Sequence, residues 1–162
     1  MPVGLLPMLM RHEGTGPRRG DRFLVYDDAT GHAIGSGSLV SGHPTIGYGR
    51  ALDLLGLTAE EGELLLTNDV LRTLKELQLV CPWFIGLDTV RQDAIVDATL
   101  NLGLTKLLGF HDFLAAMRAK SYRVAATALL DSNAARTLRS RYEELAAMLR
   151  TGAYISGEIT NA

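Results

Sequence analysis

Glycine partitions this chain more sharply than any other residue type. Of its 17 glycines, 11 stand at or before position 56, and glycine weakens regular elements while permitting tight turns and close backbone approach. The early segment therefore reads as short strands and loops, and the rest as nearly continuous helix. That division predicts an α+β, mostly helical fold within a single domain. A β-rich part spans about 14–57, and a helical part combines 1–13 with 58–154, including a long connecting helix. A tail of little periodicity, expected to be partly disordered, follows at 155–162. With 162 residues, 47% of them hydrophobic, the chain can bury a core without disulfides or a structural metal.

Local signals place the elements. The opening residues 1–10 are apolar, though two prolines interrupt them, and read as part of a short amphipathic helix that ends at Glu13. Phe23-Leu24-Val25-Tyr26 is a β-like run, Ala29-Thr30-Gly31-His32 a turn, and 34–42, rich in glycine and serine, a flexible hairpin extension before Thr45-Ile46-Gly47-Tyr48. Thr58 and Glu61 form a capping-box pair that opens a helix running to about Leu79, with Leu64, Leu65, Val70, Leu71 and Leu74 as its apolar stripe. Pro82 stops that helix. Asp88 caps the next, where Val90, Ala94, Ile95, Ala98 and Leu102 recur at helical spacing as core, and Gly103 ends it. Helices at 110–118, 121–130 and 137–149 follow, the last closed by Gly152.

Charge and reactive groups narrow the function. A net charge of -2 supplies no general basic field for nucleic acid. Arginines outnumber lysines 13 to 3, and several flank the acids discussed below, including Arg11, Arg18, Arg19, Arg22, Arg50, Arg136, Arg139 and Arg141. The lone Cys81 cannot form an internal disulfide and suits a reducing cytoplasm. The apolar start lacks a basic flank and a cleavage site and is too short for a bilayer, so stable membrane insertion is not expected. His12, His32, His43 and His111 show no ligand spacing, and no glycine-rich phosphate loop is present, so neither metal nor cofactor is expected. Trp83 and Phe84 read as core.

Three residues carry potential chemistry. Glu13 stands where a helix meets a glycine loop, where partial desolvation would favour a protonated acid. Asp27 and Asp28 follow a β-like run, where either could serve and one could instead cap the turn. Thr45 offers a hydroxyl beside small residues that let a ligand approach. Cleaving a glycosidic bond by inversion needs an acid, a second carboxylate and a held water.

Arg11-His12-Glu13-Gly14, Tyr26-Asp27-Asp28 and Thr45-Ile46-Gly47-Tyr48-Gly49-Arg50 together resemble the phage-type lysozymes of glycoside hydrolase family 24. Leu57-Thr58, Asn68-Asp69-Val70, Gly109-Phe110 and Arg150-Thr151-Gly152 fall in that family's order, so the resemblance covers about 5–154. It implies a two-lobed lysozyme-like fold and an endolysin-type muramidase acting on bacterial peptidoglycan. Glu13 would be the general acid, Asp28 the water-activating carboxylate, chosen over Asp27 by the tyrosine-x-aspartate pattern, and Thr45 the hydroxyl that helps place the water. Asn101 and Arg141 would contact substrate at the cleft, Arg141 by reaching toward the glutamate. A monomer is implied, working from the host cytoplasm once a holin-type protein has permeabilised the membrane. A lytic transglycosylase and an inactive peptidoglycan-binding module are the alternatives. The family's histidine opposite Asp69 is replaced by Arg50, which predicts an Arg50 to Asp69 ion pair. The 28–45 segment is longer than the family's, and Ala134-Ala135 stand where it has an aromatic.

Overall fold

The apolar start coils as expected into α1 (Leu5–Glu13), with Pro7 tolerated in the first turn, and Gly14 leaves the helix at φ 66°. A computed structural model describes residues 4–155 of the chain, and these divide after Glu63 into two compact units. Most of the expected tail lies outside the described residues.

In the first unit, β1 (Arg18–Arg19) and β2 (Arg22–Phe23) form an antiparallel pair. A second antiparallel sheet has the order β3 (Tyr26–Asp27), β4 (Pro44–Ile46) and β5 (Arg50–Ala51). The run 23–26 is thus not one strand. The Leu24 amide donates to the Pro17 carbonyl, so the run serves the first pair at one end and the second sheet at the other. Nor is 34–42 a hairpin: the segment contains no strand, Ser38 Oγ accepts the Gly35 amide, and Ile34 bonds back to the Val25 carbonyl. Its glycines and serines satisfy the backbone through turns instead of a ladder.

A short α2 (Leu52–Leu55) leads to α3 (Ala59–Val80), whose start is the expected capping box. Thr58 Oγ1 accepts the Glu61 amide at 3.2 Å, and Glu61 Oε2 accepts the Thr58 amide at 2.8 Å. The other Glu61 oxygen accepts from Arg50 Nη1 at 2.6 Å, while Arg50 Nε donates to the Gly56 carbonyl. Arg50 therefore does not pair with Asp69. Asp69 bonds Arg72 one helical turn on, a partner that its own helix supplies at no cost in loop closure.

The apolar stripe of α3 also differs from expectation. Leu64, Leu65 and Leu71 are exposed, and the packed seam is Val70, Thr73, Leu74 and Leu77. Those four follow the i, i+3, i+4, i+7 pattern, and Leu71 lies about 100° around the helix from Val70. A turn of 3-10 helix at Pro82–Gly86 buries Phe84. Then come α4 (Thr89–Leu102), α5 (Leu104–Leu108), α6 (His111–Arg118), α7 (Tyr122–Leu130), α8 (Asn133–Thr137) and α9 (Arg139–Thr151). Helices of four or five residues such as α2, α5 and α8 are too short to show a period in sequence.

The core of the second unit forms where α9 packs on α4 and α7, and α7 on α6. Ala94, Ile95, Ala98, Leu107, Phe113, Met117, Ala125, Ala126, Leu129, Tyr142, Ala146 and Leu149 are buried there. Arg91 closes the end of α9. Its Nε donates to the Leu149 carbonyl at 2.7 Å, Nη2 to Arg150, and Nη1 to Asp88, with the guanidinium 3.8 Å over the Tyr122 ring. Gly152 turns the chain left-handed at φ 69°, and a Cβ there would sit 2.5 Å from Arg91 Nη1. Gly152→Ala is expected to destabilise the protein by about 1–2 kcal/mol from backbone strain alone, read by urea unfolding. An unchanged midpoint would refute the left-handed cap.

Candidate active site

Burial and hydrogen bonding distinguish the two aspartates. Tyr26 opposes Thr45 and Asp27 opposes Pro44 in the β3–β4 register. Directly opposed residues share a sheet face and successive residues alternate. Tyr26 and Thr45 therefore share one face, and Asp27 and Pro44 take the other, while Asp28 and His43 lie just past the strand ends.

Asp27 is buried and its carboxylate is fully engaged by main chain. Oδ1 accepts the amides of Ala29 and Gly42, at 3.0 and 2.9 Å, and Oδ2 accepts that of Ser41 at 2.9 Å. The Ser41 bond, with those of Gly42 and Ala29, holds the carboxyl below its ordinary range against the opposing effect of burial. Asp27 thus staples the 29–42 loop to the sheet.

Asp28 is exposed. Its Oδ1 accepts the His43 amide at 2.6 Å, its own amide donates to the His43 carbonyl at 3.1 Å, and Oδ2 has no protein partner among the described residues. Gly42 makes this position possible, because a Cβ there would lie 2.1 Å from Asp28 Oδ1. Thr45 is buried in β4, and its hydroxyl donates to the same His43 carbonyl at 3.1 Å. Asp28 and Thr45 are thereby joined through one residue.

Glu13 reaches this region from the end of α1. The Gly16 amide donates to the Gly47 carbonyl at 3.2 Å, which ties the chain after α1 to the turn between β4 and β5. Gly16 has no room for a side chain, since a Cβ would lie 2.3 Å from the Tyr26 ring. The same turn carries Gly49 at φ 90°, and a Cβ there would be 3.6 Å from Glu13 Oε2. Tyr48 packs edge-on against Phe23, with ring centres 5.3 Å apart. Glu13 itself is exposed, so the desolvation expected from sequence is not present. A helix C-terminus flanked by glycines covers it with little side-chain mass.

Comparison with models of known protein families gives no match, and comparison with curated proteins gives none.

The second unit holds Asn101 and Arg141. Arg141 Nε donates to Asp97 Oδ1 at 2.7 Å, and that bond raises the guanidinium's already high pKa. Within the helical unit, Asp97 is thus the partner of Arg141. Asn101 Oδ1 accepts the hydroxyl of Tyr142 at 2.8 Å, and burial raises the phenol. Asp97 and Asn101 stand one turn apart on α4, facing Arg141 and Tyr142 on α9. Sequence reasoning missed Asp97 and Tyr142, although the i, i+4 spacing on α4 was a usable signal. It also missed Asp53, whose Oδ2 lies 2.8 Å from His43 Nδ1. Among the described residues, no group of three or more His, Cys, Asp or Glu could hold a metal ion.

Because the Asp27 pKa is lowered on folding, the unfolded chain binds that proton more readily. Its contribution is complete above the unfolded carboxyl pKa and is lost as pH falls through the lower folded value. Asp27→Asn is therefore expected to lower the melting temperature at neutral pH and to flatten the loss of stability between about pH 5 and 2. Parallel pH profiles for the variant and wild type would contradict the staple.

Proposed function

We propose that this chain is an endolysin-type muramidase with the two-lobed lysozyme fold, hydrolysing the β-1,4 bond between N-acetylmuramic acid and N-acetylglucosamine in peptidoglycan. The observation that carries this reading is the joint placement of Asp28 and Thr45 through His43, on the sheet whose β4–β5 turn also meets Glu13. The acid comes from the end of α1, the second carboxylate from the turn after β3 and the hydroxyl from β4.

In this mechanism Glu13 protonates the glycosidic oxygen as the bond breaks. A water donates hydrogen bonds to Asp28 Oδ2 and to the Thr45 hydroxyl, whose own proton is directed at the His43 carbonyl. The lone pair of that water then points at the anomeric carbon from the face opposite Glu13, and Asp28 takes its proton. Inversion follows, and it requires carboxyls about 6.5–9.5 Å apart in the complex. Substrate supplies the desolvation that the exposed Glu13 lacks alone. Asn101 and Arg141 are the proposed sugar contacts of the helical unit. Among the described residues no helix is long and apolar enough to cross a membrane. Action from the host cytoplasm after a holin-type protein opens the membrane is part of the proposal.

A second reading, a peptidoglycan-binding module without turnover, draws on the exposure of Glu13. Digestion of purified cell walls separates the two. Glu13→Gln is expected to lower turnover by about 10²–10⁴-fold with the fold intact, Asp28→Asn comparably, and Asp27→Asn much less. New reducing ends are the expected product, whereas anhydro-muramyl ends would establish a lytic transglycosylase. Binding without solubilisation by the wild type would establish the module. Gly42→Ala is expected to lower both turnover and melting temperature, since the added methyl displaces the Asp28 carboxylate and also presses on the Ala29 amide that holds Asp27. A well-folded variant with wild-type turnover would refute that role for the glycine.

A further inference from the structure

His43 is assigned no chemistry above, yet it touches both members of the water-placing pair. Its amide donates to Asp28 Oδ1 at 2.6 Å, and its carbonyl accepts from the Asp28 amide and the Thr45 hydroxyl, each at 3.1 Å. A displacement of the His43 main chain would therefore move Asp28 and Thr45 together. Two features restrain it. Pro44 follows, which confines His43 to extended backbone, and ring Nδ1 bonds Asp53 Oδ2 at 2.8 Å, anchoring the residue to α2.

We propose that His43 and Asp53 form a latch that positions Asp28 and Thr45 for reaction, with the imidazole protonated in its closed form. The inference rests on the muramidase reading above. His43 is a positioning residue in this scheme, acting through Asp28 and Thr45 rather than on the sugar.

The charges around the ring favour the closed form. Asp53 faces it from α2 and Asp28 from the end of β3. Asp27 is turned toward the amides of Ala29, Ser41 and Gly42, and Arg50 is occupied by Glu61 and the Gly56 carbonyl. The hydrogen bond to Asp53, then the charge of Asp53 and that of Asp28, raise the imidazole pKa. The same bond lowers that of Asp53. Below the raised value the latch is a charge-assisted hydrogen bond between imidazolium and carboxylate, and above it an ordinary neutral-donor bond. Positioning therefore weakens as pH rises through the His43 pKa, which adds an alkaline limb to turnover. Both side chains are more than two-fifths exposed, so solvent keeps the effect moderate.

The test measures wall digestion from about pH 5 to 9, spanning the ordinary imidazole range, for wild type, Asp53→Asn, His43→Gln and Glu13→Gln, with the His43 ring titrated by NMR. Asp53→Asn and His43→Gln are expected to lower kcat about three- to five-fold with KM unchanged. In Asp53→Asn the alkaline limb should move to lower pH together with the ring titration. If both variants keep the wild-type kcat and profile while Glu13→Gln is inactive, the latch is overturned and the muramidase reading stands. Full turnover by Glu13→Gln overturns that reading and the latch with it. Should the variants fold poorly, the wild-type ring decides: titration at or below the ordinary histidine value overturns the latch, and titration above it supports the latch.

Discussion

The first unit depends on the buried carboxylate of Asp27. Among its described residues, no large apolar side chain is fully buried, and the buried polar residues there are Asp27 and Thr45. A segment so short of core needs some other tie to hold its loops. Main-chain amides from Ala29, Ser41 and Gly42 converge on the Asp27 carboxylate. Those bonds draw a long irregular segment into register with β4 and leave its neighbour, Asp28, exposed with only Oδ1 engaged, by the His43 amide. Satisfying a buried anion with several amides is costly to undo, because removing any of them leaves unpaired charge behind. The position of Asp28 is thus set by what Asp27 binds.

The helical unit is organised by shape, with polar ties at its ends. Alanines at 94, 98, 125, 126 and 146 are buried with bulky Phe113, Met117, Leu129 and Tyr142, alternating small and large side chains in the interior. Dense interiors of this kind leave the carbonyls at helix ends as the remaining unsatisfied groups. Arg91 answers that need at α9 with a fork that a lysine could not reproduce.

What the sequence revealed follows how local each determinant is. The capping box of Thr58 and Glu61, the Asp88 cap, the core face of α4 and the Gly152 stop are set by residues within a turn of one another. Each was legible. The stripe of α3 is less legible because leucines lie on both of its faces, and the packed seam includes Thr73 and omits Leu71. The partner of Arg50 is ambiguous in sequence because α3 carries both Glu61 and Asp69, and Arg72 claims Asp69. In the candidate site, Glu13, Asp28 and Thr45 stand out by residue type and resemblance. The structure adds the His43 connection, which needs a strand register, and the Arg141 to Asp97 pair, whose members lie 44 residues apart. Such long-range pairings leave no periodic trace.

Gly42 and Gly49 have a consequence for how this region can change over generations. Each lets a carboxylate stand against main chain, Asp28 at Gly42 and Glu13 at Gly49. A methyl at Gly42 would displace Asp28 and press on the Ala29 amide that holds Asp27, and one at Gly49 would meet a left-handed backbone. Selection on folding alone therefore already guards both positions. A lineage released from selection on the reacting groups should keep these glycines while Asp28 and Glu13 themselves drift, so the carboxylates, and not the glycines, record use.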